Sequence, residues 1–138
     1  MPSAAIIIPS YNGRHLLQEC LPSVVEAAGE QGECEIVVVD DKSSDGTGAW
    51  LQQEHGDQVR LITQEQHAGF IAAVNLGVAN TESETLVLLN NDVTVEPDFL
   101  APLLEVLDDR TFAVTARSLT DLGQNEGLSV AFCEDGDL

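Results

Sequence analysis

The chain has 138 residues, 43% of them apolar, which suits a single domain with one hydrophobic core. It carries 24 Asp and Glu against 5 Lys and Arg, a formal net charge of -19, and this argues against nucleic acid as a partner because duplex binding depends on Lys and Arg. No apolar run approaches the roughly 20 residues that span a bilayer, so we expect a cytoplasmic protein without a membrane segment.

The first predicted element is a short β-branched strand, Ala4–Ile8, which ends at Pro9 because proline has no backbone donor for a continuing ladder. A polar loop follows, in which Asn12 is a candidate N-cap for a helix with apolar residues at helical spacing: Leu16, Leu17, Cys20, Leu21, Val24, Val25 and Ala28. Pro22 falls inside this pattern and should break or kink the helix. Tyr11 either offers a flat ring to a nucleotide base or is a half-buried structural residue.

A second predicted strand, Glu35–Val39, ends in two adjacent carboxylates, Asp40 and Asp41. Ser44 or Asp45 can cap the helix that follows, which gives Asp45 a structural role. Two like charges at a strand tip are costly unless hydrogen bonds or positive charge compensate them, so we expect a ligand at Asp40 and Asp41.

The third unit begins with a predicted strand at Val59–Thr63 and continues through a polar loop into a helix over Gly69–Ala79. The small residues of that helix should let it lie close to the sheet. His67, in the loop, either contacts a phosphate or is an uncommitted surface residue.

Four large apolar residues, Leu86–Leu89, run directly into Asn90, Asn91 and Asp92. This is typical of a central strand that is covered on both faces of a parallel sheet, where ligands bind beyond the carboxyl ends of the strands. A carboxylate with amide oxygens beside it suits a hard cation such as Mg²⁺. The alternative interpretation is ordinary turn chemistry.

Pro97 and Asp98 should begin a further helix, and Phe112–Ala116 should form a fifth strand, after which the pattern is lost from Arg117 onward. Strands alternating with helices predict an α/β fold, a Rossmann-like parallel sheet with right-handed crossovers and helices on both faces. The three cysteines, Cys20, Cys34 and Cys133, lack the paired spacing of zinc or redox sites, and we expect them to be reduced.

Four segments resemble, in the same order, the motifs of the family 2 glycosyltransferases: Ile6–Asn12, Val38–Thr47, Gly69–Gly77 and Leu88–Val93. The resemblance implies a GT-A fold and an inverting, metal-dependent transfer from a nucleotide-activated sugar. It implies that the base of the nucleotide is held by Pro9, Ser10, Tyr11 and Asp41, with Asp40 in support and Asn91 also at the nucleotide. Asp92 is then the ligand of a divalent cation, Mg²⁺ or Mn²⁺, in the Asp-x-Asp motif of the family.

The chain departs from the family pattern at two positions. Asn90 stands at the first position of the Asp-x-Asp motif, and His67 stands where many members have Asn. No Arg lies near His67 in the sequence, so a metal ion must neutralise most of the diphosphate charge.

We expect residues 1–138 to form one GT-A-like domain, with 1–116 as its donor-binding core and 117–138 as the start of an acceptor-side region, incomplete at the C-terminus. Glu134, Asp135 and Asp137 resemble the motif of the catalytic base only superficially, because they follow the fifth strand too closely, so the catalytic residue stays unassigned. The predicted partners are a nucleotide-diphosphate sugar and an unidentified glycan, lipid or protein acceptor, with self-association or a partner chain.

Two other functions compete with this one. A sugar nucleotidyltransferase needs a Gly-rich loop with Arg and Lys after the first strand, which Pro9–Asn12 does not supply. A non-catalytic nucleotide-binding or assembly module derived from the same fold is the alternative from a different class.

Overall fold

The structure, a computed structural model, describes residues 4–126. Its main sheet contains β1 (Ala4–Ser10), β2 (Cys34–Asp40), β3 (Arg60–Thr63) and β4 (Thr85–Leu88), and a separate antiparallel pair contains β5 (Ser118–Leu119) and β6 (Asn125–Glu126). The helices are α1 (Arg14–Gln31), α2 (Thr47–His55), α3 (Phe70–Ala79) and α4 (Leu100–Glu105).

The main sheet is parallel throughout, in the order β3-β2-β1-β4. β1 is buried along its whole length, and alternate side chains of this strand point to opposite faces. Ile6 and Ile8 pack with α1, α2 and α4 on one face, whereas Ile7 packs with α3 on the other. The predicted α/β architecture, with helices on both faces of a parallel sheet, is therefore confirmed.

α3 lies close to the sheet because Gly77 has no side chain. A Cβ atom at this position would be 2.6 Å from Cγ2 of Ile7 and 3.0 Å from Cγ2 of Val39. The expectation that small residues bring this helix close to the sheet is confirmed.

Two strand predictions were wrong. β4 lies at an edge of the described sheet rather than at its centre, and Leu86 and Leu88 are accordingly only partly buried. Residues 112–116 form no strand, although their composition favours one. In this segment Val114 and Ala116 pack against the core on the α1 and α4 side of the sheet, while Phe112 is 66% exposed, so side-chain packing on the core replaces pairing with a sheet edge.

Two predictions about helix ends were also wrong, and α1 is not broken at its proline. Asn12 does not cap α1, because its backbone has a left-handed φ of 48° and Gly13 precedes the first helical residue. α1 continues through Pro22, which is exposed, with the buried residues Leu21 and Val24 on either side, so the predicted break is absent and a kink there stays a prediction. α4 begins at Leu100, after Pro97 and Asp98 rather than with them.

Within residues 4–126, no helix combines the length and the apolar character needed to cross a lipid bilayer.

Candidate functional site

A cavity of about 350 Å³ opens beyond the carboxyl ends of the strands. Its walls come from the loops after β1, β2 and β3, the first turn of α3 and the segment after β4: Pro9, Ser10, Tyr11, Asp41, His67, Gly69, Phe70, Ala73, Asn90, Asn91 and Asp92. The edge is the one at which parallel sheets bind ligands. Of the residues predicted for the site, all but Asp40 line this cavity.

The carboxylate of Asp41 is buried and accepts hydrogen bonds at both oxygens. Oδ1 accepts from Nε2 of Gln64 at 2.6 Å and from the amide of Ala68 at 2.8 Å. Oδ2 accepts from the amide of Gly69 at 2.9 Å and lies 2.8 Å from Nδ1 of His67. The carboxylate thus fixes the loop that leads into α3.

Burial by itself raises the pKa of the Asp41 carboxyl. The amides of Ala68 and Gly69 and the charge of a protonated His67 act in the opposite direction and outweigh it, so the pKa lies below its usual value. Asp41 therefore stays ionised in the folded chain, and the hydrogen bonds that keep it so come from the protein.

Asp40, next in the chain, has a different set of partners. It is buried and accepts hydrogen bonds from the amide and the hydroxyl of Ser43. Oγ of Ser43 in turn accepts from the amide of Asn12 at 2.8 Å, and Oδ1 of Asn12 accepts from the amide of Ser44 at 2.8 Å. The protein compensates the two carboxylates separately, so their repulsion does not by itself require a ligand, and a ligand at Asp40 and Asp41 stays a prediction. Asp40 joins the loops after β1 and β2.

Asp45 connects the start of two helices. Its carboxylate accepts from the amide of Arg14, the first residue of α1, at 3.0 Å and from the amide of Thr47, the first residue of α2, at 3.1 Å. Burial raises the pKa of this carboxyl, but the hydroxyl of Thr47 and these amides lower it by more. Asp45 has the predicted structural role, although Gly46 occupies the N-cap position.

Ser10 and Asn91 connect the tips of β1 and β4. Nδ2 of Asn91 donates to Oγ of Ser10 at 2.9 Å. A Cβ atom on Gly13 would be 2.4 Å from that nitrogen and 2.8 Å from Oγ of Ser10. Only glycine at position 13 leaves room for this contact.

Tyr11 and His67 form an exposed pair of rings at the rim of the cavity. Tyr11 is 51% exposed, so both predictions for this residue, a ring for a base and a half-buried structural residue, stay open. Its ring centroid lies 4.1 Å from that of His67, with 33° between the planes. His67 is not an uncommitted surface residue, because it contacts both this ring and Asp41.

A sequence model of glycosyl transferase family 2 matches residues 5–129. The chain belongs to glycosyl transferase family 2. The succinoglycan biosynthesis protein ExoO of Rhizobium meliloti is 28% identical over 100% of this chain and 39% of its own length. The chain spans less than half the length of the curated relatives that it matches.

Two solved structures share the fold. The mannosyltransferase PcManGT from Pyrobaculum calidifontis, in complex with GDP-Man and Mn²⁺, has a TM-score of 0.79 at 23% identity, over 96% of this chain and 44% of that one. TarS of S. aureus, in complex with UDP-GlcNAc, has a TM-score of 0.66 at 23% identity, over 75% of this chain and 31% of that one. The fold of this family member is therefore of the GT-A type.

Asp92 is exposed and lies in the cavity wall with Asn90 and Asn91. Within residues 4–126, no three His, Cys, Asp or Glu side chains are grouped to hold a metal ion. The described side chains therefore do not fit a cation site built from protein ligands alone. One carboxylate beside amide oxygens does fit Mg²⁺ or Mn²⁺ in a site that water and substrate phosphates complete.

The site prediction omitted Phe70 and Ala73, which lie one helical turn apart at the start of α3 and line the cavity. Phe70 is 55% exposed, and a large apolar residue directly after the glycine of a family motif was the signal in the sequence. The acidic residues considered as a catalytic base, Glu134, Asp135 and Asp137, lie outside the described residues.

Proposed function

We propose that this chain is the donor-binding part of a glycosyltransferase that transfers a sugar from a nucleoside-diphosphate donor to a glycan, lipid or protein acceptor, with inversion and with a divalent cation. The cavity is the observation that carries the proposal. It brings an exposed aromatic ring, Tyr11, to the same rim as an exposed carboxylate, Asp92. A flat ring suits a base, and a carboxylate that can hold a cation suits a diphosphate. Two proteins of the same fold support the proposal: one binds GDP-Man with Mn²⁺, and the other binds UDP-GlcNAc.

In this proposal Pro9, Ser10 and Tyr11 contact the nucleoside, and Asn91 fixes Ser10 through its amide. Asp41 contacts the base, and Asp40 holds the loops around the base in place. Asp92, with Asn90 beside it, holds the cation. The cation would supply positive charge to the diphosphate, which is the leaving group. That charge matters in a chain with a formal net charge of -19, because the protein alone repels a diphosphate.

We further propose that residues 1–116 are the donor-binding core and that 117–138 begin an acceptor-side region. Inversion requires a general base at the acceptor hydroxyl, and we assign none within residues 4–126.

Self-association or a partner chain stays a prediction, which sedimentation equilibrium tests.

Calorimetric titration with UDP and GDP tests the proposed donor site. We expect binding in Mn²⁺ that is much weaker in EDTA. Asp92→Asn should remove this metal dependence, whereas Asp98→Asn, the same change at another exposed aspartate, should retain it. Equal affinity in Mn²⁺ and in EDTA for the unsubstituted chain contradicts the metal role of Asp92, and no binding under either condition contradicts the donor site as a whole.

A further inference from the structure

The imidazole of His67 makes two contacts that together resemble those of a nucleobase. Its ring lies against the ring of Tyr11 at a centroid distance of 4.1 Å. Its Nδ1 atom lies 2.8 Å from Oδ2 of Asp41. Since carboxylate oxygens only accept, a contact of this length requires a proton on Nδ1. A flat ring therefore lies against tyrosine, tilted by 33°, while a ring N–H donates to a buried carboxylate.

Asp41 has no further acceptor position to offer. A carboxylate accepts about four hydrogen bonds. Asp41 accepts three from Gln64 and the amides of Ala68 and Gly69, and His67 supplies the fourth. The two amides are fixed at the start of α3, and Gln64 is not in the cavity wall. His67 is the one donor to Asp41 that lines the cavity with a side chain, and that side chain is 54% exposed. A base that approaches from the cavity meets His67 first.

We infer that His67 is an internal competitor of the donor's nucleobase: its imidazole holds the place of the base on Tyr11 and Asp41, and a base with a ring N–H binds by displacing it. The inference rests on the proposed donor site. It makes His67 a specificity-determining residue. Uracil and guanine carry a ring N–H that can replace the Nδ1–H of His67 at Asp41, whereas adenine carries no ring N–H and has only its exocyclic amino group as a donor.

Variants at position 67 test the inference by titration with UDP, GDP and ADP in Mg²⁺. His67→Ala opens both the ring face of Tyr11 and Oδ2 of Asp41, so UDP or GDP should bind about tenfold more tightly, the factor that corresponds to one hydrogen bond to a charged group. ADP should gain less than UDP or GDP. His67→Phe, which keeps a ring on Tyr11, should not reproduce the gain. His15→Ala, the same change at an exposed position in α1, is the matched control and should bind like the unsubstituted chain.

A second measurement uses the unsubstituted chain. In ¹H–¹⁵N spectra, the Nδ1–H of His67 should give a signal protected from exchange by Asp41, and saturation with UDP or GDP and Mg²⁺ should abolish it. Retention of that signal at saturation overturns the inference, as does an affinity of His67→Ala equal to or weaker than that of His15→Ala. In both cases the donor site itself stands, because binding has been observed. No binding by any variant overturns the donor site, and the inference fails with it.

Discussion

Replacing Asp41 with Asn keeps the size of the side chain but changes which hydrogen bonds it can accept. The carboxylate accepts from two backbone amides, one at each oxygen: Ala68 at Oδ1 and Gly69 at Oδ2. In either orientation of the new amide, its NH₂ group faces one of these N–H groups. Gln64 and His67 can turn away, but the backbone amides cannot. An unsatisfied donor costs about 1–3 kcal/mol, so we expect the free energy of unfolding to fall by about that amount.

The pH dependence provides a second test of the same hydrogen bonds. Because the pKa of Asp41 is lower in the folded chain than in the unfolded one, its ionised form stabilises the fold above the unfolded value of about 4. That contribution is lost as the pH falls through the lower, folded-state pKa. The asparagine variant lacks it at every pH, so the difference in stability between the two chains should shrink below about pH 4.

Urea denaturation from pH 7 to pH 3 measures both effects. Asp92→Asn removes one carboxylate from an exposed position and should change the free energy of unfolding by no more than about 0.5 kcal/mol. If Asp41→Asn is as mild as this control, or if its effect does not diminish in acid, Asp41 does not hold the loop in the way described.

Three further predictions concern close contacts and a thiol. Gly77→Ala should lower the free energy of unfolding by about 1–3 kcal/mol, because its methyl group would lie 2.6 Å from a side chain of β1. In the control, Gly29→Ala, the new methyl group has nothing within 4 Å and should stabilise α1 by up to about 1 kcal/mol. Equal shifts of the two variants in urea unfolding would show that α3 can lift from the sheet. Gly13→Ala should displace the Asn91 side chain and also cost about 1–3 kcal/mol, and an unchanged NMR signal from that side-chain amide would contradict this. Burial raises the pKa of Cys34 to about 11, so its alkylation at about pH 8, followed by mass spectrometry, should be roughly 100-fold slower than that of an exposed cysteine; equal rates would show that the thiol is not protected.

Several strands and helices of the α/β fold were predictable because each has a local signature. β-branched runs gave β1 and β2, the spacing of apolar residues gave α1, and the polar residues after each strand placed the cavity at the carboxyl edge. Errors arose where local preference competes with neighbours in space. Residues 112–116 have strand composition, yet Val114 and Ala116 pack against the core without pairing with a strand. Leu86–Leu89 is apolar enough for a central strand, yet β4 is at an edge of the sheet that residues 4–126 form.

The sequence by itself determined most of the residues that reach the cavity, because a strand tip and the loop after it have fixed positions in a parallel sheet, but it missed Phe70 and Ala73 and wrongly included Asp40. It did not determine what those residues do there. Asp41 looked like a free ligand for a base, but its partners come from 23 to 28 positions further along the chain. The contact between Ser10 and Asn91 spans 81 positions. Partners so far apart in the sequence meet only where loops come together in space. The packing of α3 against the sheet and of β4 against β1 brings those loops together.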